Sequence, residues 1–429
     1  MKTILVTAYA VNPYKGSEDG MGWNFIMQIA RYQKVIAVTR INNGPHIEKY
    51  KAANPDYKEQ YDNIRFVYFD WPYIFRFWKK GPLLSMIYFY GWQFTLAIWL
   101  LFKRFQFDIA HNLNFHNDWT PSFLWMLGKP FVWGPIGHHP EIPKEFIQPI
   151  YGNKEYKKDQ RLWKLKNAFW KFDPFLKITA ARAAHVLCMN SQPPQKLHLK
   201  EERYSIVPSV SSEDMVSTPP AKPAGFTVLS AGRFVPLKGF DLTIRSFAKF
   251  YHQLDVAAQQ SSQLVLVGTG PSLPLLKAIA EEERITDVLQ IIEWIPRDQL
   301  KALYETSHLF LFPSHEGAGM VVAEAMSYGV PVLCIDNSGP GEFQHPSSGL
   351  KVPYLSYAAT VQALANKMLA LQANKDLYNR ERKLAFERFA TYFRWQVKGE
   401  ALKKIYETVT SNELSDSAKA VLTNLQKVS

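Results

Sequence analysis

In the C-terminal half of the chain two carboxylates bracket a run of small residues: Glu316, then seven residues, then Glu324, with Gly317-Ala318-Gly319 inside the interval. Glycine-flanked backbone amides that open a helix suit a phosphate or a diphosphate. A carboxylate accepts two hydroxyl hydrogen bonds at once, which suits a vicinal diol. Carboxylates on both sides of an anion site therefore describe a ligand with hydroxyls either side of a diphosphate, and a nucleotide sugar has that shape. Upstream, Gly232-Arg233 and Lys238-Gly239 frame a tight turn just before a helix. Arg233 offers a planar fork to phosphate oxygens and Lys238 a mobile point charge. Cations at a helix start oppose its dipole unless an anion is bound there, which favours the same ligand.

The elements that must hold these groups follow from the apolar runs. Leu309–Phe312 is a short apolar run stopped by Pro313, the pattern of a strand buried on both faces. After the loop Ser314–Gly319, good helix formers predict a helix over Met320–Tyr328 closed by Gly329. A second strand, Val330–Ile335, runs into the Gly/Pro loop Asn337–Glu342. This is a right-handed βαβ unit, and its loops fall at the carboxyl ends of parallel strands, where open α/β sheets bind ligands. The same alternation opens the chain: strand Thr3–Thr7, a loop Asn12–Gly22 with glycines at 16, 20 and 22, helix Trp23–Arg31, strands Val35–Thr39, Ile64–Phe69 and Asp108–His111. It restarts at Phe226–Ala231 after Ser211–Gly225, which is rich in Ser, Pro and Ala like a linker. A chain of 429 residues exceeds one typical core, so the reading is α/β with two doubly wound domains, 1–210 and 211–389.

Glu316 and Glu324, the following EAMSYGVPV and the later GPGE together resemble the donor-binding signature of retaining glycosyltransferases of the GT-B fold, family 4. Three further stretches resemble that family: GR…KG at 232–239, Gly268-Thr-Gly270-Pro, and GSEDGMGW, which contains Gly16 and Gly20. Phe131–His139 is similar to its glycine-rich loop, but His138 follows Gly137 where the family has glycine. The resemblance implies two Rossmann-like domains facing a cleft, with a C-terminal helix at 390–412 completing the first and a polar tail at 413–429. It also implies retaining transfer of a sugar from a nucleotide diphosphate to a glycan or lipid-linked acceptor, with no cofactor and no metal. On this resemblance Arg233 and Lys238 neutralise the departing diphosphate and Glu316 holds the sugar hydroxyls. Gly317, Ala318, Gly319 and Met320 meet phosphate, Glu324 meets the ribose, and Gly232 and Ile295 complete the donor contacts. Gly16, Gly20, His111, His116, Gly137 and His138 fall on the acceptor side. A nucleotide-sugar epimerase, or a non-catalytic nucleotide-sugar-binding protein, would use the same donor groups.

Composition narrows the partners. Net charge is +12 and the isoelectric point about 9.3, favouring an anionic partner; no zinc-ligand spacing or RNP-type strand points to nucleic acid. Cys188 and Cys334 lie in apolar runs and suit a reducing compartment, so the expected location is cytoplasmic, peripheral to the inner membrane face. MKTILVTAYA enters a strand rather than a signal peptide. Leu83–Phe102 has no charge over twenty residues, long enough to span a bilayer, but it sits between two strands where a crossover helix belongs. Two stretches mix aromatic and basic residues: 69–80, and 144–182 with ten Lys/Arg against four Asp/Glu. Each suits an anionic membrane surface or, equally, inward packing of its aromatics.

Overall fold

The computed structural model describes residues 1–113 and 117–410. Their strands form two wholly parallel sheets, the doubly wound α/β pair expected from the alternation. The first sheet joins β1 (Thr3–Thr7), β2 (Lys34–Thr39), β3 (Ile64–Tyr68), β4 (Ile109–Asn112), β5 (Phe131–Ile136), β6 (His185–Cys188) and β7 (Tyr204–Ile206) in the order β3-β2-β1-β4-β5-β6-β7. The second joins β8 (Phe226–Ala231), β9 (Ser262–Val267), β10 (Leu289–Ile292), β11 (Leu309–Phe312), β12 (Val332–Ile335) and β13 (Lys351–Val352) in the order β10-β9-β8-β11-β12-β13. Parallel neighbours need helical crossovers, and helices on both faces explain why runs such as Ile4-Leu5-Val6 and Leu309–Phe312 are apolar throughout and buried.

The chain divides into two compact units: Met1–His138 with Lys164–Ser209 and residues 395–410, and His139–Trp163 with Val210–Arg394. Residues 139–163 thus group with the second unit, although the sequence places them before the linker. Ile142, Phe146 and Ile147 bury themselves with Leu242, Ile335 and Val361, and the Tyr151 hydroxyl donates to buried Asp241 (2.6 Å). The helical run Lys144–Phe172 breaks at Gly152 (φ 83°, ψ 170°), a left-handed conformation that suits glycine. The expected linker is fastened rather than free. The Ser212 amide bonds to the Phe393 carbonyl (3.0 Å), Arg382 donates to the Pro220 carbonyl (2.6 Å), and Lys222 donates to the carbonyls of Tyr304 and Glu305.

Some boundaries move for local reasons. The first helix begins at Ser17, so Gly20 and Gly22 lie inside Ser17–Ala30 rather than in a loop. A Cβ on Gly20 would stand 2.3 Å from the Lys15 carbonyl oxygen, so the chain folds back too tightly for any other residue. The strand expected over Val288–Ile295 is shorter, Leu289–Ile292, and the loop after β12 winds into a turn of helix, Pro340–Phe343. Helix Gly81–Lys103 crosses from β3 to β4. It is long and apolar enough to cross a membrane. One of its faces, with Tyr88, Phe89, Trp92, Leu96 and Leu100, is core of the first unit beneath Leu5, Val38 and Trp133. In the basic stretch, Trp163 and Lys166 are buried and Phe172 is exposed.

Candidate active site

In the second sheet the strand order reverses direction between β8 and β11, and ligands of open α/β sheets bind outside the carboxyl ends at such a switch point. The loop after β8 is a single turn, Pro236–Lys238, ended by Gly239 at φ 65°. It is strapped to the loop after β11. The Ser314 hydroxyl and the His315 amide both donate to the Leu237 carbonyl, at 3.1 and 2.9 Å. Gly239 lies so close to Pro313 that a Cβ there would meet the Pro313 carbonyl oxygen at 2.2 Å. The loop after β12 joins them: Asn337 donates to the Ser314 carbonyl (2.8 Å), and a Cβ on Gly339 would stand 2.1 Å from the Glu316 carbonyl oxygen. Glycine at 239 and at 339 is what permits three loops to converge.

This convergence brings Lys238 to Glu316. The Lys238 Nζ donates to Glu316 Oε2 at 2.5 Å, with both side chains largely shielded from solvent, and lies 5.2 Å from the centre of the Phe312 ring. Lys238 also passes Gly232, where a Cβ would stand 3.5 Å from the lysine Cε, an ordinary contact. Arg233, on the same loop, is exposed. Glu316 is further set by its own amide, which donates to the Ser314 hydroxyl (3.1 Å).

Helix Met320–Ser327 opens beside this pair and is closed by Gly329 at φ 62°. In its first turn the Val322 amide donates to the Gly319 carbonyl (3.0 Å), and the helix start is the partial positive end that an anion complements. Gly319 packs against Phe312, where a Cβ would meet the ring at 2.9 Å. Ala318 and Met320 pack partly buried against the core under the sheet, as does Ile295 after β10. Glu324 accepts from the Tyr304 hydroxyl (3.3 Å), and Tyr304 stacks on Tyr328 at 5.7 Å. All three small-residue amides look open to an anion in the sequence; instead the Gly317 amide donates to His139 Nδ1 at 3.0 Å.

Ser314 and Tyr304 carry no signal in the sequence, and His139 appears there only as the end of the Phe131–His139 stretch. His139 lies far upstream in the chain, and its neighbourhood is decided only when residues 139–163 fold onto the second unit. Behind the loop, His315 is buried, its Nδ1 2.7 Å from the Tyr354 hydroxyl, and burial lowers its pKa to about 3. Asp241 is buried where it accepts from Tyr151 and Tyr357, and burial raises its pKa.

The residues expected on the acceptor side belong to the first unit and are placed differently. Its switch point falls between β1 and β4. Gly16 is exposed at the start of the first helix. His111 at the end of β4 is fully buried: Nε2–H donates to the Gly134 carbonyl (2.8 Å) and Nδ1 accepts from the Tyr406 hydroxyl (2.6 Å). Both ring nitrogens are spent inside the fold, so His111 ties the C-terminal helix Trp395–Thr410 to the sheet rather than facing a substrate. His138 is also buried, its Nδ1 2.9 Å from Asp118 Oδ2. A Cβ on Gly137 would meet Met189 Sδ at 2.8 Å, so this glycine serves close packing. His116 lies outside the described residues. Among the described residues no three His, Cys, Asp or Glu side chains gather as a metal-holding group.

The comparisons with known proteins agree with this architecture. Across nearly the whole chain the fold is that of solved GT-B glycosyltransferases. It is similar to a glycosyltransferase from Rickettsia africae (14% identity, TM-score 0.61, 96% of this chain and 99% of that one). It is also similar to Anabaena HepE solved with UDP and glucose (14% identity, TM-score 0.58, 95% of this chain and 100% of that one). Residues 213–388 match the family Glycosyl transferases group 1. A GDP-mannose-dependent α-(1-6)-phosphatidylinositol monomannoside mannosyltransferase of Mycobacterium tuberculosis is 30% identical over 152 residues, 33% of this chain; the match spans only 38% of that relative's length. The uncharacterized glycosyltransferase YqgM of Bacillus subtilis is 24% identical over 277 residues, 61% of this chain and 69% of the relative.

Proposed function

We propose that the protein is a retaining glycosyltransferase of family 4 type. It moves a sugar from a nucleotide diphosphate to a glycan or lipid-linked acceptor in cell-surface polysaccharide or glycoconjugate synthesis. The observation that carries this reading is the Lys238–Glu316 pair, 2.5 Å apart at the switch point and beside the opening of helix Met320–Ser327. A cation for the diphosphate and a carboxylate for sugar hydroxyls stand side by side there, with helix amides for phosphate oxygens next to them.

In the reaction the bond from the sugar's anomeric carbon to the diphosphate oxygen breaks, and a bond to the acceptor oxygen forms on the same face. The acceptor's proton passes to the departing phosphate. Lys238 and Arg233 balance the charge that grows on that leaving group, and a fixed cation contributes most where charge develops. Neither a cofactor nor a divalent ion is assigned a role. The relatives that act on phosphatidylinositol derivatives, together with the basic charge, favour a lipid-linked acceptor at a cytoplasmic anionic membrane surface. A screen of nucleotide sugars, reading nucleotide release with lipid-linked and soluble acceptors, tests the reading. Donor turned over without any acceptor would instead mean epimerisation, and donor bound without release would mean a binding protein.

Glu324 holds the ribose. Glu324→Ala is expected to weaken donor binding roughly 10- to 100-fold, the range for a hydrogen bond to a charged group, with little change in turnover at saturating donor. Unchanged donor affinity in calorimetry would remove the assignment. His139 competes for an amide the diphosphate needs, because one N–H serves one strong acceptor. His139→Ala is expected to tighten donor binding by roughly two- to tenfold, the worth of one neutral hydrogen bond. Equal or weaker affinity would show that the ring supports the loop instead.

A further inference from the structure

We propose that a pocket on the first unit takes one hydrocarbon chain of an anionic membrane lipid. The pocket holds about 460 Å³ and is lined by Trp71, Trp78, Met86, Ile87, Tyr90 and Phe169. That volume is in the range of small-molecule sites. Its walls are built deliberately. Gly91 lets the Trp71 ring lie against helix Gly81–Lys103, since a Cβ there would meet the ring at 2.9 Å. The Trp71 Nε1–H is spent on Thr95 Oγ1 (2.7 Å) and the Tyr90 hydroxyl on Asp173 (3.0 Å). The polar atoms of Trp71 and Tyr90 are thus bonded elsewhere, and these two rings present apolar surface.

The surroundings point to the occupant. Tyr73, Ile74, Phe75, Phe77, Leu83 and Ile87 are exposed large apolar side chains within one short segment, and Ile87 also lines the pocket. Such a concentration on a surface marks an interaction site. From Trp71 to Phe107 the sequence has no Asp or Glu, while Lys79, Lys80, Lys103 and Arg104 flank the apolar helix at both ends; Arg76 is paired with the Asp70 carboxylate (2.8 Å). Cations at the ends of an apolar element, with aromatic rings between, fit an anionic headgroup layer over hydrocarbon. Lys80 is exposed, and Lys79 lies over the Tyr9 and Tyr88 rings at 5.0 and 4.5 Å. The buried face of the same helix is core of the first unit, so the helix meets a bilayer from one side.

The inference deepens the proposed lipid-linked transfer and can fail separately from it. The full chain is mixed with phosphatidylcholine vesicles, with and without phosphatidylglycerol, whose acyl chains are brominated or plain. We expect at least roughly tenfold stronger binding to the anionic vesicles, lowered by Lys80→Gln and by salt. Brominated chains should quench tryptophan fluorescence, and the Trp71→Phe/Trp78→Phe variant should lose most of that quenching while still binding. Phe77→Ser/Ile87→Ser alters exposed positions and should lose roughly tenfold or more of the binding with an unchanged melting profile. Negligible binding to both vesicles overturns the proposal, as does quenching that survives in the tryptophan variant. Concentration-dependent dimerisation without lipid, abolished by Phe77→Ser/Ile87→Ser, would make a second copy the occupant and also overturns it. Donor binding, measured on the same preparation, separates the two ideas. Intact donor turnover with a soluble acceptor but no chain binding defeats this inference alone. Chain binding without nucleotide release under any acceptor defeats the transferase reading alone.

Discussion

Replacing Lys238 by alanine is expected to lower turnover on the order of 10²-fold or more, the typical cost of removing a fixed charge stabiliser from a transition state. That is about 2.7 kcal/mol of barrier or more. The turn that carries Lys238 is held by the Ser314 hydroxyl and His315 amide, which donate to the Leu237 carbonyl, and by the Gly239–Pro313 approach, none of which involves the Lys238 side chain. The loop should therefore keep its shape in the variant. The direct structural consequence is at Glu316, which loses its ion partner at 2.5 Å in a shielded position. Single-turnover nucleotide release and a thermal melt on the same sample separate the two effects. A purely structural role would move the melt and spare the rate. Glu316→Gln provides the cross-check: it breaks the same pair while keeping the cation, so it should reduce turnover less than Lys238→Ala at saturating donor. Turnover near the wild-type rate in Lys238→Ala would withdraw the lysine from the reaction.

Acid should destabilise the first unit steeply between pH 6.5 and 4. His111 and His185 are buried there, and burial lowers each pKa from 6.5 to about 4. Between those values the unfolded chain binds protons that the folded chain refuses, so the stability is complete above pH 6.5 and is lost as pH falls toward 4. A shift of this size corresponds to about 3 kcal/mol for each histidine. Two such losses are comparable with the whole stability of many domains. The cost is structural: protonating His111 would reverse its bond with Tyr406, Nδ1–H donating to the hydroxyl oxygen, and leave the hydroxyl hydrogen to find another acceptor inside the fold. His315 adds the same sign in the second unit, but Asp241, whose pKa burial raises, has the opposite sign there and recovers stability as pH falls. The first unit is thus the cleaner test. Denaturant titrations from pH 7 to 4.5 should show falling stability, and His111→Gln should flatten the profile by its share. A profile level over that range would refute the coupling.

The loops that carry the candidate site were legible wherever the chain is local. Glu316, the three small residues and Glu324 lie on one loop and one helix, and the Arg233–Lys238 turn follows one strand. A short apolar run followed by glycine is enough to predict strand, loop and helix because each is decided by neighbours a few residues away. Gly329 closes its helix in the left-handed conformation for the same reason. Both sheets and their parallel sense were likewise implied by strands that are apolar on both faces.

What the chain by itself determined, then, is the set of loops and the groups they carry; which loops touch was decided by the strand order. The placing of β8 beside β11 brings Lys238 to Glu316 across a long sequence interval, and no periodicity encodes that neighbour. His139 belongs to the same class. It reaches the Gly317 amide because Ile142, Phe146 and Ile147 find apolar surface on the second unit, a contact between segments far apart in the chain. His111 shows the converse: a polar residue at the end of a strand looks available until a helix arrives from the other end of the chain and takes its ring. Local propensity and hydrophobic pattern act over a few residues, whereas burial and hydrogen-bond pairing are settled between distant segments, and only the folded core decides those.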